Sequence, residues 1–420
     1  MSPRSLWGHA DFRRLWAAQA VSAVGSRITR TALPIIAINS LGASATAVSI
    51  LSAMALAPGV IVALFAAGRI DRSRKRPLLI AMDLARAGFL LSLPVAAWFG
   101  MLTIVQLVAV AALTGAATAI FRVADSAYLP RLVDNSQLVE GNTKLQTTEA
   151  IAEVAGPSIA GILIQAVTAP VAIVVDALSF LWSALWLRQI RAAEAFAAPS
   201  VVAHPLDDIR EGWHACRAHP IVFPLLMAEG TFGFFAGFFA SIYMLFALRT
   251  LALDEATVGL IIGVGGLGAL WGAAAAAPMA RTLGYGRAVV LSLALWVLAS
   301  VFIPAAEGQD TLKIPFLIGQ QIVGDGFLAA FFILGVSIRQ RALDPDVQSR
   351  AGATFQAVGG LSLPLGALIA GPLAEIVGPG ATLWIAIAGA LVPLLILSLS
   401  RLWQPQTLDD SRLSHVTGGT

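Results

Sequence analysis

Twelve blocks of about 20 apolar residues, separated by short polar gaps, run through this 420-residue chain. They fall at roughly 14–39, 45–67, 77–99, 102–123, 143–167, 170–189, 219–247, 256–279, 286–305, 313–337, 350–377 and 381–402. A helix of that length, rising 1.5 Å per residue, crosses a bilayer core about 30 Å thick. Lipid offers the backbone no water to bond to, and a helix satisfies its own polar groups. The composition agrees, with 58% hydrophobic and 12% charged residues and a mean hydropathy of +0.81, outside the range of an ordinary soluble domain. The fold class that follows is an all-α polytopic membrane protein.

The second half of the chain repeats the first. Arg131-Leu-Val-Asp134 returns as Arg341-Ala-Leu-Asp344, Gln146 as Gln356, and Gly156-Pro-Ser-Ile-Ala-Gly161 as Gly366-Ala-Leu-Ile-Ala-Gly371. Each pair is 341 − 131 = 210 residues apart, half the length of the chain. Twelve transmembrane helices are therefore expected in two pseudo-equivalent six-helix halves. Paired halves of this kind point to a transporter with its site between them, because rocking one half against the other gives alternating access. Residues 1–190 form the first half, 191–220 a linker, 221–405 the second half and 406–420 a tail.

A net charge of +3 invites a nucleic-acid partner, but the placement of the charges rejects one. Arg69, Arg72, Arg74, Lys75 and Arg76 fall in the second gap, and Arg131 and Lys144 at the fourth. Arg188 to Arg217 mark the sixth gap, Arg281 and Arg287 the eighth, and Arg339 to Arg350 the tenth. The odd-numbered gaps carry only Arg249 and Lys313. Basic residues collect on cytoplasmic loops, so both termini and the even gaps are expected in the cytoplasm. Cys216 is the one cysteine, which excludes an internal disulfide. Met1–Trp16 is polar and basic and runs into a full-length block with no cleavage site, which reads as a first retained helix.

Within the linker, Leu206, Ile209, Trp213 and Cys216 recur at helical spacing, with Asp207, Asp208, Arg210, Glu211 and Arg217 on the other face. Two readings stand: a short helix lying on the cytoplasmic membrane surface, or a solvated loop with some helix. Gly263-Val-Gly-Gly-Leu-Gly268 matches a dinucleotide fingerprint in letters only. It sits inside an apolar block with no strand before it, so helix packing explains it. No phosphate-binding G-x-x-x-x-G-K-[ST] run occurs, and His9, His204, His214, His219 and His415 all lie outside the blocks. No cofactor, metal or enzymatic constellation is implied.

The second gap reads Ala67-Gly-Arg-Ile-Asp71-Arg72-Ser-Arg-Lys-Arg76. It resembles the major facilitator superfamily loop motif G-x-x-x-D-R-x-x-R-[KR], with Ala67 where that family has glycine. The fifth block carries Gly156-Pro157-Ser-Ile-Ala-Gly161, similar to the G-P-x-x-G-G motif of drug:proton antiporters, with Ala160 in place of the first closing glycine. Simple helix packing is the alternative reading of that run. Phe12-Arg-Arg-Leu-Trp16, Ala32-Leu-Pro34, Leu129-Pro-Arg-Leu-Val133 and Asp176-Ala-Leu-Ser-Phe180 extend the likeness to the macrolide-efflux and enterobactin-exporter-like branch. The resemblance implies a bacterial inner-membrane exporter in which Asp71, Arg72 and Arg76 take part in state-dependent contacts. Pairing of Arg72 and Arg76 with acids such as Asp125 or Asp134 is expected.

Charges inside the blocks carry the mechanism, since each costs about 2.5–3.5 kcal/mol at the bilayer centre and so faces a cavity or a partner. Arg27 and Arg30 share a face of the first block with Gln19, Ser22 and Ser26. In the fifth block Asn142, Gln146, Glu149 and Glu153 form a stripe running into Gly156. Neither acid is kept in the second half, where Gly359 and Leu363 stand. Glu229 and Asp325 are further acids in the seventh and tenth blocks, and Asp176 in the sixth has a structural reading. Either Glu149 or Glu153 exchanges protons beside Arg27 and Arg30, or the four form a static salt bridge.

The sequence thus implies a secondary transporter exporting a small organic molecule by proton antiport, with protons, substrate and the bilayer as partners and a monomer as a plausible state. A lysophospholipid flippase or metabolite importer of the same fold, or a non-transporting receptor or scaffold, stand as alternatives. One fold carries unrelated cargoes, so the substrate does not follow.

Overall fold

A computed structural model describes residues 5–71, 73–192 and 205–403, with backbone alone for 67–69, 71, 205 and 206. Among the described residues, twelve helices are long and apolar enough to cross a membrane. In chain order the helices begin α1 (Ala10–Ile35), α2 (Ala45–Asp71), α3 (Lys75–Trp98) and α4 (Ile104–Ser126). A single turn α5 (Leu129–Leu132) leads to α6 (Leu138–Val167) and α7 (Ala169–Arg188). The short α8 (Pro205–Ala218) is followed by α9 (Val222–Leu245), α10 (Glu255–Leu283) and α11 (Tyr285–Ser300). A turn α12 (Phe302–Ala305) precedes α13 (Lys313–Ala342), α14 (Pro345–Val377) and α15 (Pro379–Ser398).

The chain forms two compact units. One is Met1–Val202 with Ala252–Gly263, the other Ala203–Leu251 with Val264–Thr420. At one end of the first unit a core of Leu6, Phe12, Leu15, Leu79, Phe121 and Tyr128 is buried. The second unit buries Leu225, Phe232, Val289, Trp296, Phe331 and Leu334. Phe232 meets Trp296 edge to face at 4.8 Å. Many other large apolar side chains are exposed, such as Ile61, Phe65, Leu361 and Leu365. Exposure of that kind suits helices whose outer faces meet lipid.

The 210-residue repeat is written into the backbone. Helix α1 ends in a π-helical turn, Ile36–Ser40, and α9 ends in the same turn at Phe246–Thr250. Pro34 does not cause it, because the second copy has Met244 at that position. Gly42 has φ +60° and its counterpart Ala252 has φ +51°. Ser44 Oγ then accepts from the Ala47 N–H at 3.3 Å, and Asp254 Oδ1 accepts from Thr257 N–H at 2.9 Å. These are matching N-caps of α2 and α10. The capping bonds from Thr257 hold the Asp254 carboxyl below the usual carboxylate range. Helices α6 and α14 both stop at a residue in a positive-φ conformation, Thr168 (φ +81°) and Gly378 (φ +90°).

Helix α8 lies in the linker. It is helical, but its apolar face is turned to protein. Cys216 is fully buried, and Trp213 packs on Phe223 with ring centroids 6.0 Å apart. A Cβ at Gly212 would strike the Arg350 carbonyl of α14. Arg350 also binds Glu211 at 2.8 Å and approaches Asp208 at 3.7 Å. An apolar stripe does not by itself say whether lipid or another helix covers it.

Candidate functional site

The charge cluster of the first unit is built on α1 and α6. Along α6, Glu149, Glu153 and Gly156 follow at intervals of four and three, so they lie on one face. Arg27 of α1 is buried, 4% exposed, while its partners Glu149 and Glu153 are 44% and 49% exposed. One guanidinium nitrogen, Nη2, bonds Glu149 Oε1 and also reaches Glu153 Oε2 at 2.6 Å. Arg30, one turn on and 60% exposed, reaches the other oxygen of Glu153 at 3.2 Å. Two arginines thus face two carboxylates, and Glu153 is shared between both cations. Gln146 lies exposed one turn before Glu149 on the same helix.

Gly156 explains how Arg27 gets so close to α6. A Cβ there would lie 2.5 Å from both Cβ and Cγ of Arg27, far inside contact distance. Further along, α6 meets the first turns of α10, which belong to the same unit. A Cβ at Gly161 would lie 2.5 Å from the Glu255 carbonyl oxygen, and one at Gly259 would lie 2.5 Å from that of Pro157. The backbones touch there as small residues allow. The same small-residue packing covers the run Gly263–Gly268: it is helical throughout, and Gly268 sits on the Gln321 carbonyl of α13.

Behind α1 lies a second set of charges, of which the sequence pointed to Asp176 and Asp125 but not to Asp83 or Arg86. Asp83 and Arg86 of α3 pair one turn apart, 0% and 4% exposed. The Arg86 guanidinium carbon stands 4.4 Å from the centroid of Phe121 and 4.0 Å from that of Phe180. Asp176 of α7 accepts from Thr29 of α1 and, at 3.0 Å, from Ser179. Asp125 of α4 accepts from Gln19 Nε2 at 2.5 Å. The signal was present: two opposite charges three residues apart inside the third apolar block. Thr29 sits two residues from Arg27, so α1 carries a partner of each cluster.

The loop motif is described only in part. Asp71 closes α2, its side chain undescribed, and Arg72 lies outside the described residues. Lys75 is fully buried and donates to the Ile70 carbonyl, as Ser73 does at 2.6 Å. Arg76, for which an acid such as Asp125 or Asp134 was expected, donates to the carbonyls of Leu187, at 2.9 Å, and Arg188. The last carbonyls of a helix have no internal partner and carry its negative end, so they compete well for a cation. The basic residues of this loop therefore tie off the ends of α2 and α7.

In the second unit, Glu229 of α9 lies half-buried against Gly335 of α13. Asp325 on the same helix α13 lies beside Gly265 of α10. Ten residues along a helix separate their levels, about 15 Å at 1.5 Å per residue. They do not form one site. Gln356, the counterpart of Gln146, is exposed.

The family model described as transmembrane secretion effector matches residues 2–418. The chain belongs to that family, within the major facilitator superfamily. No curated protein matches it. Among solved structures, the nucleoside transporter NupG is similar at a TM-score of 0.73 and 13% identity, covering 94% of this chain and 100% of that one. A bacterial homologue of the iron transporter ferroportin, in an inward-facing state, gives 0.73 and 14%, covering 94% and 98%. A bacterial homolog of the human lysosomal transporter Spinster gives 0.64 and 12%, covering 98% of each chain. At such identities the likeness is one of fold. Its family is one of membrane transporters, not of enzymes, and this chain is a transporter of the major facilitator type.

Proposed function

We propose that this transporter exports a small organic molecule in exchange for protons across a bacterial cytoplasmic membrane, with both termini inside. The observation that supports the reading most is one buried arginine, Arg27, holding two half-exposed carboxylates a helical turn apart. With both acids ionised, the set Arg27, Arg30, Glu149 and Glu153 is neutral. A proton on Glu149 removes one ion pair and a proton on Glu153 removes two, and either leaves a net positive charge, which changes what the exposed face of α6 attracts. Arg30 and Gln146 flank that face and are assigned to substrate. One charge moved through the membrane potential is worth about 2.3 kcal/mol per 100 mV, enough to drive accumulation. Glu229 and Asp325 are held as second candidates, and Asp71, Arg72 and Arg76 as parts of the conformational motif.

The test is a substrate-library accumulation assay in an efflux-deficient host. Expressing cells are expected to retain less of at least one compound, and a protonophore is expected to abolish the difference. Raised accumulation in expressing cells would make the protein an importer. Export that survives collapse of the proton gradient would remove the antiport reading.

A further inference from the structure

A basic depression of about 400 Å³ opens where α1 and α3 begin and α7 ends, all within the first unit. Four arginines line it: Arg14, Arg76, Arg188 and Arg191. One carboxylate, Asp11, stands beside them. It binds Arg14 at 2.5 Å and accepts from the Arg191 and Ala192 N–H groups at 3.2 and 3.0 Å. Asp11 thereby fixes the chain after α7 so that the exposed Arg188 and Arg191 stand over the depression. Arg76 spends two N–H groups on the end of α7, which anchors its charge at the same rim. Among the residues whose side chains are described, four arginines stand here with one carboxylate.

A second depression, about 350 Å³, adjoins the first and shares Arg14 and Gln189 with it. Its walls are mostly apolar and aromatic, with Trp7, Trp16 and Trp186 and the small residues Ala10 and Ala17, and Arg13 beside them; Lys144 Nζ stands 4.5 Å from the Trp7 ring centroid. Trp7 and Trp16 stack edge to face at 5.0 Å, and Trp7 is 42% exposed. Tryptophan favours the depth at which helices leave the hydrocarbon core, and basic pockets between helices at that depth suit anionic headgroups. A free phosphate would fill the basic chamber alone. Two depressions that share Arg14 and Gln189, one cationic and one mostly apolar, fit a molecule that is both. We propose that this face binds one anionic phospholipid, with its phosphate among Arg14, Arg188 and Arg191 and the start of an acyl chain along Trp7, Trp16 and Trp186.

Native mass spectrometry of the purified full-length protein tests this. Phosphatidylglycerol and phosphatidylcholine with the same acyl chains are offered in detergent. Wild type is expected to retain phosphatidylglycerol preferentially. A basic residue near an anionic lipid contributes about 1 kcal/mol, roughly fivefold. Arg188→Gln combined with Arg191→Gln is therefore expected to weaken that retention about 25-fold. Both side chains are exposed, so the thermal unfolding midpoint is expected to hold, and the paired Lys substitutions are expected to restore most of the preference. Equal retention of the two lipids by wild type, or an undiminished preference in the double Gln variant, would overturn the proposal. Displacement of the lipid by millimolar inorganic phosphate would overturn it in favour of a simple anion site.

Discussion

Gly156 shows how one missing side chain positions a charge. Its lack of a Cβ lets α1 bring Arg27 under the two glutamates, so even Gly156→Ala must push Arg27 away from α6. Overpacking of this kind costs about 1–3 kcal/mol. The variant is expected to lower the unfolding midpoint and also to weaken substrate binding in an equilibrium assay. Unchanged binding with lowered stability would leave the glycine a packing role alone. Thr168 marks a residue-scale inequality between the halves. It holds φ +81° and ψ +152° with a β-branched side chain, where the second copy uses Gly378. That region is nearly glycine-only, at a cost of order 1–3 kcal/mol. Thr168→Gly is expected to raise the unfolding midpoint, although glycine's larger loss of freedom on folding offsets part of the gain. A lowered midpoint would show that Thr168 makes compensating contacts. The sequence marked Gly156 but not Thr168, because backbone conformation at a helix junction leaves little trace in residue type when the cost is tolerated.

At the scale of elements, period and composition were enough to place the twelve long helices, and the intramembrane charges pointed α1 and α6 at each other. Less legible was where a side chain goes when several partners compete. Arg76, expected on a carboxylate, donates to the helix-end carbonyls of Leu187 and Arg188. Nothing in the spelling of a loop distinguishes the two kinds of acceptor. Helix α8 was legible as a periodic stripe, but its cover was not. Burial against protein pushes the Cys216 thiol up to about 11, so almost no thiolate exists near neutral pH. Thiol-directed maleimide is expected to leave the native protein unmodified and to label it once unfolded. Rapid labelling of the native state would mean that α8 detaches from α14 and returns the linker to the membrane-surface reading.

For the whole molecule, the 210-residue repeat unites sequence and backbone, from paired π-turns to paired N-caps, yet the halves differ in chemistry. Glu149 and Glu153 have no acidic counterparts, so the proposed coupling is carried by one half. Orientation rests on the alternation of basic gaps. A cysteine placed at Gln309 is expected to react with an impermeant reagent from outside intact cells, and one at Ser73 only after permeabilisation. Outside labelling at 73 would reverse the topology. The most direct test of the central claim is uphill transport by purified protein in liposomes under an imposed pH gradient. Wild type is compared there with Glu149→Gln and Glu153→Gln, using a substrate found in the accumulation assay. The account predicts that at least one Gln variant loses proton-driven uphill transport while still binding substrate measurably. If both variants transport uphill with the wild-type dependence on external pH, the account is contradicted and the proton is not carried at this cluster.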